Sequence, residues 1–111
     1  MRVLFDQGTP APLHAFLTGH TVRTAKAEGW ATFRNGDLLT AAEAAGFDVL
    51  VTTDKNIRYQ QNLTGRTIAI VVLGTPRWPV LRLHVAHVVA AVQAAAPGSY
   101  TEVEIPPRRG A

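Results

Sequence analysis

The sequence predicts an α/β fold built on a mostly parallel sheet of four to five strands. Short apolar runs typical of buried strands alternate along the chain with segments that carry helix start signals or apolar residues at helical spacing. That alternation is typical of parallel strands joined by helices that pack on the sheet. The chain has 111 residues, 47% of them hydrophobic, which suits one core, so we expect a single domain over residues 1–105.

The first half of the chain contains three predicted strands and two helix starts. In GTPAPLHAFL, Thr9 is predicted to cap a helix and Pro10 to occupy its first position. In NGDLLTAAEAAG, Asn35 is predicted to cap a second helix, which Gly46 ends. The predicted strands are 2–5, 20–24 and 48–53.

The second half contains the clearest strand and the longest helix. Residues 67–73 (TIAIVVL) form an apolar run, and residues 100–105 alternate like an edge strand. Between them, Pro79 is predicted to start a helix that continues to Ala96. The predicted buried face of that helix consists of Leu81, Val85, Val88, Val89 and Val92. Residues 106–111 (PPRRGA) have the composition of a disordered tail.

Composition excludes several classes of protein. The chain has no cysteine, which excludes a disulfide framework, a zinc knuckle and a thiol nucleophile. It has no recognisable signal peptide, and no apolar run approaches the roughly 18 residues needed to span a bilayer. We therefore expect a cytoplasmic protein that does not enter a membrane.

Charge is unevenly distributed along the chain. Six of the eight acids lie at or before Asp54, whereas residues 55–101 contain five basic residues and no acid. A basic half beside an acidic pocket suits a polyanion whose phosphates are held by arginines while metal ions sit on carboxylates. With a net charge of only +3, ordinary solubilising charge explains the same residues equally well.

Three acids are expected to converge at one edge of the sheet. Asp6 and Asp54 each follow a predicted strand, and Asp37 lies in the first turn of the second helix. Ligands of open parallel sheets bind outside the carboxyl ends of the strands, where the helices begin. Converging carboxylates without cysteine are typical ligands of a hard cation such as Mg²⁺ or Mn²⁺. Glu43, further along the same helix, points less directly at this edge.

Each acid also has a simpler explanation. Asp6 can form an Asx turn before Gly8, and Asp54 can cap the turn formed by DKN. An acid such as Asp37 more often interacts with the helix dipole than with a metal ion. Acids that end two separate parallel strands are more specific together than singly, although receiver domains and some phosphatases share this arrangement.

The motifs LFD near the N-terminus, Gly19–His20 before a short strand, and NGDLLTAAEAAGFDVLVTTDKN resemble those of small PIN-like nucleases, which act as toxins of toxin–antitoxin pairs. The resemblance runs from residue 2 to about residue 103. It implies a PIN-like three-layer α/β/α sandwich and metal-dependent ribonuclease activity of the VapC type, in which a metal-activated water cleaves the RNA phosphodiester. It also implies Mg²⁺ or Mn²⁺ as the cofactor, with Asp6 as the first acid and Asp54 as the acid of the T-x-D motif.

The chain departs from the family pattern at three positions. Asn35 replaces the acid that usually leads the middle helix, and Asn56 replaces an acid that often follows T-x-D. Each change keeps an oxygen ligand but removes a negative charge, which lowers affinity for a divalent ion; Asp37 is placed to substitute for Asn35. Gly8 replaces a common asparagine. The predicted catalytic residues are Asp6, Asp37 and Asp54, and the predicted metal ligands are these three with Asn35 and Asn56.

A polar run follows the acid edge and is the predicted RNA-binding segment. A basic residue, an aromatic ring and a run of amides can hold a phosphate backbone and stack a base. A polar surface helix start explains the same residues. The segment comprises Lys55, Arg58, Tyr59, Gln60, Gln61 and Asn62. His84 and His87, three residues apart on the long helix, are interpreted as structural or exposed rather than as metal ligands.

Two function classes remain open from the sequence. The first is a metal-dependent endoribonuclease, the toxin of a toxin–antitoxin pair, whose cognate antitoxin covers the acid edge. The second is a catalytically weak or inactive PIN-like module that binds a protein partner or RNA, favoured by the amides at Asn35 and Asn56. A receiver-type phosphoacceptor requires an acid pair after the first strand, which is absent. The long helix is a candidate face for a homodimer, although burial in the core explains the same residues.

Overall fold

Five parallel strands form one sheet in the order β2-β1-β3-β4-β5. The computed structural model describes residues 1–60 and 63–105, without the side chains of Asn35, Tyr59 and Gln60. The strands are β1 (Arg2–Phe5), β2 (Thr21–Thr24), β3 (Val49–Thr52), β4 (Ala69–Leu73) and β5 (Tyr100–Val103). All four neighbouring pairs are parallel, so the predicted α/β class with a parallel sheet is confirmed. The predicted disordered tail lies outside the described residues.

Strands β3 and β4 are buried along their whole length. Every residue of β3 and β4 is buried, including the hydroxyl-bearing Thr52. Continuous burial requires apolar side chains on both faces of a strand, and VLVT and AIVVL supply them. Because the sheet is covered on both sides, only its edges and the loops at its ends can carry a site.

Short helical elements connect the strands. The α-helices are α1 (Asn35–Ala44), α2 (Ile57–Gln60), α3 (Trp78–Leu81) and α4 (Val85–Gln93), and the 3-10 helices are Ala11–Phe16 and Arg82–His84. Gly46 follows α1 with a φ of 82°, the left-handed conformation that favours glycine, as predicted from its place after the helix.

Two apolar clusters lie on opposite faces of the sheet. The first 3-10 helix and α4 pack on the face that includes Phe5 and Val71. Helices α1 and α2 pack on the face that includes Leu4 and Leu50. Alternate residues of each strand belong to different clusters, as the two-residue period of a strand requires.

Three local predictions were wrong. Pro10, not Thr9, is the N-cap of the first helical segment, which is 3-10 rather than α. Thr9 is instead buried, because its hydroxyl bonds to Asp6 and to Val51. Arg34 is the N-cap of α1, and Asn35 is the first helical residue.

The predicted long helix is interrupted. The 3-10 turn Arg82–His84 separates α3 from α4, although neither proline nor glycine lies inside the segment. The predicted apolar face is nevertheless confirmed. Leu81, Val88 and Val92 are buried, and Val85 and Val89 pack against the same cluster. This face is therefore used by the core of the protein, which explains the apolar residues without a homodimer.

The strand order places a crevice between the ends of β1 and β3. The chain leaves β1 toward the 3-10 helix on one face, and it leaves β3 toward α2 on the other. In a sheet of order 2-1-3-4-5, ligands bind where the connections of two adjacent strands diverge in this way. The residues that directly follow β1 and β3 are those expected to form a site.

Candidate functional site

Asp6 directly follows β1, and its carboxylate is held by three donors. Its Oδ1 accepts a hydrogen bond from the backbone N–H of Gly8 at 3.1 Å and another from the Thr9 hydroxyl at 2.8 Å. Its Oδ2 accepts the hydroxyl hydrogen of Thr52. The bond from Gly8 is the Asx turn that the sequence offered as the simpler explanation of Asp6.

Thr52 joins the two strand ends. Its side chain is fully buried, and its hydroxyl donates to Asp6 while accepting the backbone N–H of Asp54 at 3.1 Å. One hydroxyl therefore fixes the Asp6 carboxylate relative to the backbone of Asp54. The predicted meeting of these two acids at one edge of the sheet is supported by this shared contact. Thr52 is the threonine of the T-x-D motif, but the motif did not indicate its contact with Asp6, which lies 46 residues away.

Gly8 allows the loop after β1 to approach the loop after β3. A Cβ added to Gly8 would collide with the Oγ1 of Thr53. The position therefore requires glycine for space, and its φ is not in the left-handed region.

Asp54 shapes the turn that follows β3. Its Oδ1 accepts the backbone N–H of Asn56 at 2.9 Å, which is the predicted turn cap. Asp54 is half-buried, whereas Lys55 and Asn56 are exposed. The Asn56 side chain is thus available at the surface, beside the turn that its backbone helps to close.

The hydrogen bonds of Asp6 limit how it can bind a metal ion. An ionised carboxylate offers about four lone-pair directions. Oδ1 faces two donors and Oδ2 one, although the single hydroxyl hydrogen of Thr9 is shared between Oδ1 and the carbonyl of Val51, so Oδ2 is the less occupied oxygen for a cation. We therefore expect monodentate coordination at most.

The predicted ligands on α1 do not share the contacts that join Asp6 to the turn after β3. Asp37 is exposed in the first turn of α1, and Asn35 begins that helix, although its side chain is not described. Within residues 1–60 and 63–105, no group of three or more His, Cys, Asp or Glu side chains is arranged to hold a metal ion. Thr52 thus links the Asp6 carboxylate to the backbone of Asp54, whereas Asp37 shares no contact of this kind with either acid among the described residues.

The predicted RNA-binding segment is only partly described. Arg58 is exposed in α2, where its guanidinium lies 3.7 Å from Glu102 and 5.5 Å from the centre of the Tyr100 ring. Tyr59 and Gln60 end α2, and their side chains are not described. Gln61 and Asn62 lie outside the described residues. Lys55, directly after Asp54, is the exposed cation of this segment nearest to the acid edge in sequence.

A small cavity beside Asp6 was missed by sequence reasoning. Its polar side is formed by Asp6 and Gln7, and its apolar side includes Trp30, Phe33 and Leu38. The stretch around Trp30 shows no periodicity, so the sequence predicted only irregular structure there. Two aromatic residues between the second strand and the helix that carries Asp37 are the sequence feature that could have indicated this cavity.

Glu43 lies away from the candidate site and has a structural role. Its carboxylate accepts hydrogen bonds from Arg66 at 2.7 Å and from the backbone N–H of Thr67 at 2.6 Å. These donors precede β4, at the N-terminal ends of the strands, whereas Asp6 lies at the C-terminal ends. Burial acts to raise the pKa of Glu43, but the hydrogen bonds from Arg66, Thr67 and Ile68 outweigh it and hold the pKa below its usual value.

The histidine pair and the helices add no further site. His84 is half-buried, His87 is exposed, and their ring centres are 6.1 Å apart. In the part of the chain that the structure describes, every helix is too short or too polar to cross a bilayer.

Comparisons of the chain with protein-family models, curated proteins and solved structures gave no match. The candidate site is therefore interpreted from its own geometry and from the motifs of the sequence.

Proposed function

We propose that this protein is a PIN-like, metal-dependent endoribonuclease with a three-layer α/β/α fold, the toxin of a toxin–antitoxin pair. One observation carries the proposal. Thr52 links the carboxylate of Asp6 to the backbone of Asp54 at the crevice between β1 and β3. Two acids from distant parts of the chain therefore share the edge where parallel sheets bind their ligands.

The residues at this edge fit Mg²⁺ or Mn²⁺. Both ions prefer oxygen donors, and Mg²⁺ is commonly held by one or two carboxylates, with water and substrate phosphate completing the shell. Asp6 and Asp54 supply two carboxylates, so a third acid is not required. A bound ion would supply a water of lowered pKa and would neutralise charge on the phosphodiester.

The surrounding residues suit a phosphate chain. Lys55 is exposed directly after Asp54, and Arg58 is exposed one helical turn later. From residue 55 to residue 101 the sequence has no acid, which favours a polyanion along this segment. Glu102 of β5 lies 3.7 Å from Arg58, so a phosphate would compete with this exposed ion pair for the guanidinium. Lys55 and Arg58 are the cations proposed to position the RNA backbone.

Metal binding is tested by thermal unfolding with increasing Mn²⁺. A ligand at about 100 times its Kd stabilises the folded state by about 2.7 kcal/mol. We expect that gain in the native chain and its loss in Asp6→Asn and in Asp54→Asn. Asp48→Asn is the matched control, because Asp48 is an exposed acid at the opposite edge, where it accepts the N–H of Arg2 at 2.8 Å.

Activity is tested with single-stranded RNA in Mn²⁺. The native chain and the Asp48 variant are expected to cleave it, and the Asp54 variant is not. Toxicity on expression is expected to follow the same order and to be relieved by a cognate antitoxin. Absence of both Mn²⁺ stabilisation and RNA cleavage in the native chain would refute the proposal.

A second candidate function has its own observation. Among the described residues the acids do not form a group of three that could hold a metal ion. A catalytically weak or inactive PIN-like module that binds RNA or a protein partner is consistent with this. RNA binding that is unaffected by Mn²⁺ and by Asp54→Asn, without cleavage, would favour it over the nuclease.

A further inference from the structure

The cavity beside Asp6, called the aromatic pocket below, lies on the α1 face of the sheet. Its volume is about 140 Å³. Asp6 and Gln7 form its polar side, and Trp30, Phe33 and Leu38 contribute to its apolar side. It therefore joins the acid edge to an aromatic surface.

The aromatic rings are fixed by contacts within the protein. The Trp30 and Phe33 rings are inclined by only 14°, with centres 6.2 Å apart, and the Trp30 and Phe47 rings meet edge to face at 77°, with centres 6.0 Å apart. The backbone N–H of Trp30 donates to the carbonyl of Ala25 at 2.8 Å, and that of Phe33 donates to the carbonyl of Trp30 at 3.0 Å. The pocket is thus formed before any ligand arrives.

Phe33 is a large apolar residue that is partly exposed to solvent. It is 42% exposed, although it stacks on Trp30, which packs against the buried cluster on this face of the sheet. Exposed single apolar residues are common, so exposure alone assigns no role. Phe33 also lines the cavity beside Asp6, so part of its ring is within reach of a ligand that enters there.

We propose that the aromatic pocket holds one base of the single-stranded RNA whose phosphate lies at Asp6 and Asp54. This inference rests on the proposed function and adds a subsite to it. Single-stranded RNA is recognised by stacking unpaired bases on aromatic side chains while polar groups contact the base edges. Trp30 and Phe33 supply the stacking surface, and the amide of Gln7 offers both a donor and an acceptor.

Size and charge favour a base over other parts of the RNA. Pockets for drug-sized ligands have volumes of about 300–1,000 Å³, so a pocket of about 140 Å³ suits a single flat ring system. Among the described residues that line it Asp6 is the only charged one, so no protein cation would hold a phosphate inside the pocket itself. A larger cavity, of about 490 Å³, lies at the ends of β4 and β5; Lys55 lines it together with Glu102 and Glu104, so within the part of the chain that the structure describes its acids outnumber its cation and no aromatic ring lines it.

The chain contains two tryptophans, which gives a direct test. Trp78→Phe leaves Trp30 as the only tryptophan, and Trp30→Phe leaves Trp78, which packs against Phe16 on the other face of the sheet. A short single-stranded RNA is titrated into each variant, first in EDTA and then in Mg²⁺. The fluorescence of Trp30 is expected to fall and saturate as RNA binds, whereas that of Trp78 is expected to stay constant.

A matched pair of phenylalanines gives the second test. Phe33 is 42% exposed and Phe16 is 44% exposed, but only Phe33 lines the pocket. Stacking of one base on an aromatic ring corresponds to a change in affinity of about 5- to 100-fold. Phe33→Leu is expected to weaken RNA binding by such a factor, Phe33→Tyr to retain it, and Phe16→Leu to leave it unchanged.

The outcomes separate the two proposals. If RNA binds without changing the fluorescence of Trp30, and Phe33→Leu binds RNA as tightly as the native chain, the base subsite is overturned but the nuclease is not. Quenching of Trp30 without Mn²⁺ stabilisation or RNA cleavage supports the subsite and overturns the nuclease. Absence of RNA binding in both conditions, measured by fluorescence anisotropy of a labelled strand, overturns the subsite.

Discussion

Replacing Thr52 by valine tests the contact on which the candidate site depends. Valine has nearly the shape of threonine, so the change removes a hydroxyl without opening a cavity in the core. The Asp6 carboxylate loses a donor, and the backbone N–H of Asp54 loses its acceptor. Because Thr52 is fully buried, water cannot occupy the place of its hydroxyl without moving the surrounding strands.

The size of the effect follows from the two lost bonds. A hydrogen bond to a charged group contributes about 1.5–3 kcal/mol to stability, and a neutral one contributes about 0.5–1.5 kcal/mol. Asp6 and Asp54 are half-buried, so water on their exposed side can compensate for part of the two lost hydrogen bonds. We therefore expect a loss of about 2 kcal/mol in the free energy of unfolding. With an unfolding entropy of about 2.1 cal/mol/K per residue, this lowers the Tm by about 9 °C.

The assay is urea and thermal unfolding of Thr52→Val beside Thr101→Val. Thr101 lies in β5, is half-buried, and its hydroxyl makes no hydrogen bond to another described residue. The control variant is expected to change stability by less than about 0.5 kcal/mol. Combining Thr52→Val with Asp6→Asn in a double-mutant cycle then isolates the contact between the two side chains.

Two results would refute this reasoning. A Thr52→Val variant as stable as the Thr101→Val control would show that the hydroxyl does not support the two acids. A coupling energy near zero in the cycle would show that Thr52 and Asp6 stabilise the fold independently. In either case the central contact of the proposed site would have no energetic basis.

Two further predictions concern residues outside this contact. Glu43→Gln is expected to lower stability by about 1–3 kcal/mol at neutral pH, because it weakens the bonds to Arg66 and Thr67. Folding lowers the pKa of Glu43 below its usual value of 4.5. The ionised carboxylate therefore stabilises the fold above pH 4.5, and this stabilisation is lost as the pH falls through the pKa of the folded state. The stabilities of the native chain and the variant, measured by urea unfolding, should converge in acid. Gly8→Ala is expected to destabilise the protein by about 1–3 kcal/mol, because the added Cβ meets Thr53 Oγ1. Thr53→Ala should restore most of that loss in the double variant, and a loss of equal size in both backgrounds would argue against the clash.

The strands were predictable because their signal is local. Buried parallel strands must be apolar on both faces, and the runs around Leu50 and Val71 satisfy that rule without reference to any other part of the chain. Helix starts were less predictable, because the capping role depends on where the side chain finds a partner. Thr9 could cap a helix by type, yet in the fold it bonds to Asp6 and to Val51, 42 residues away.

The candidate site was predictable only in outline. Acids after two strands could be read from the sequence because the carboxyl ends of parallel strands meet at one edge. Which side chains connect them could not be predicted, since Thr52 and Asp6 are 46 residues apart and their motifs mark each strand end separately. The aromatic pocket was likewise hidden, because Trp30 and Phe33 lie in a stretch without periodicity.

The sequence by itself determined the parallel sheet, the apolar face of the long helix, and the positions of Asp6 and Asp54 at strand ends. These follow from periodicity and burial, which are properties of neighbouring residues. Only the tertiary structure decided that β1 and β3 lie side by side, that Thr52 joins their ends, and that Gln7 and Phe33 line one pocket. Strand order and side-chain partners arise from contacts between distant residues, and the free energy of those contacts depends on how the whole core packs.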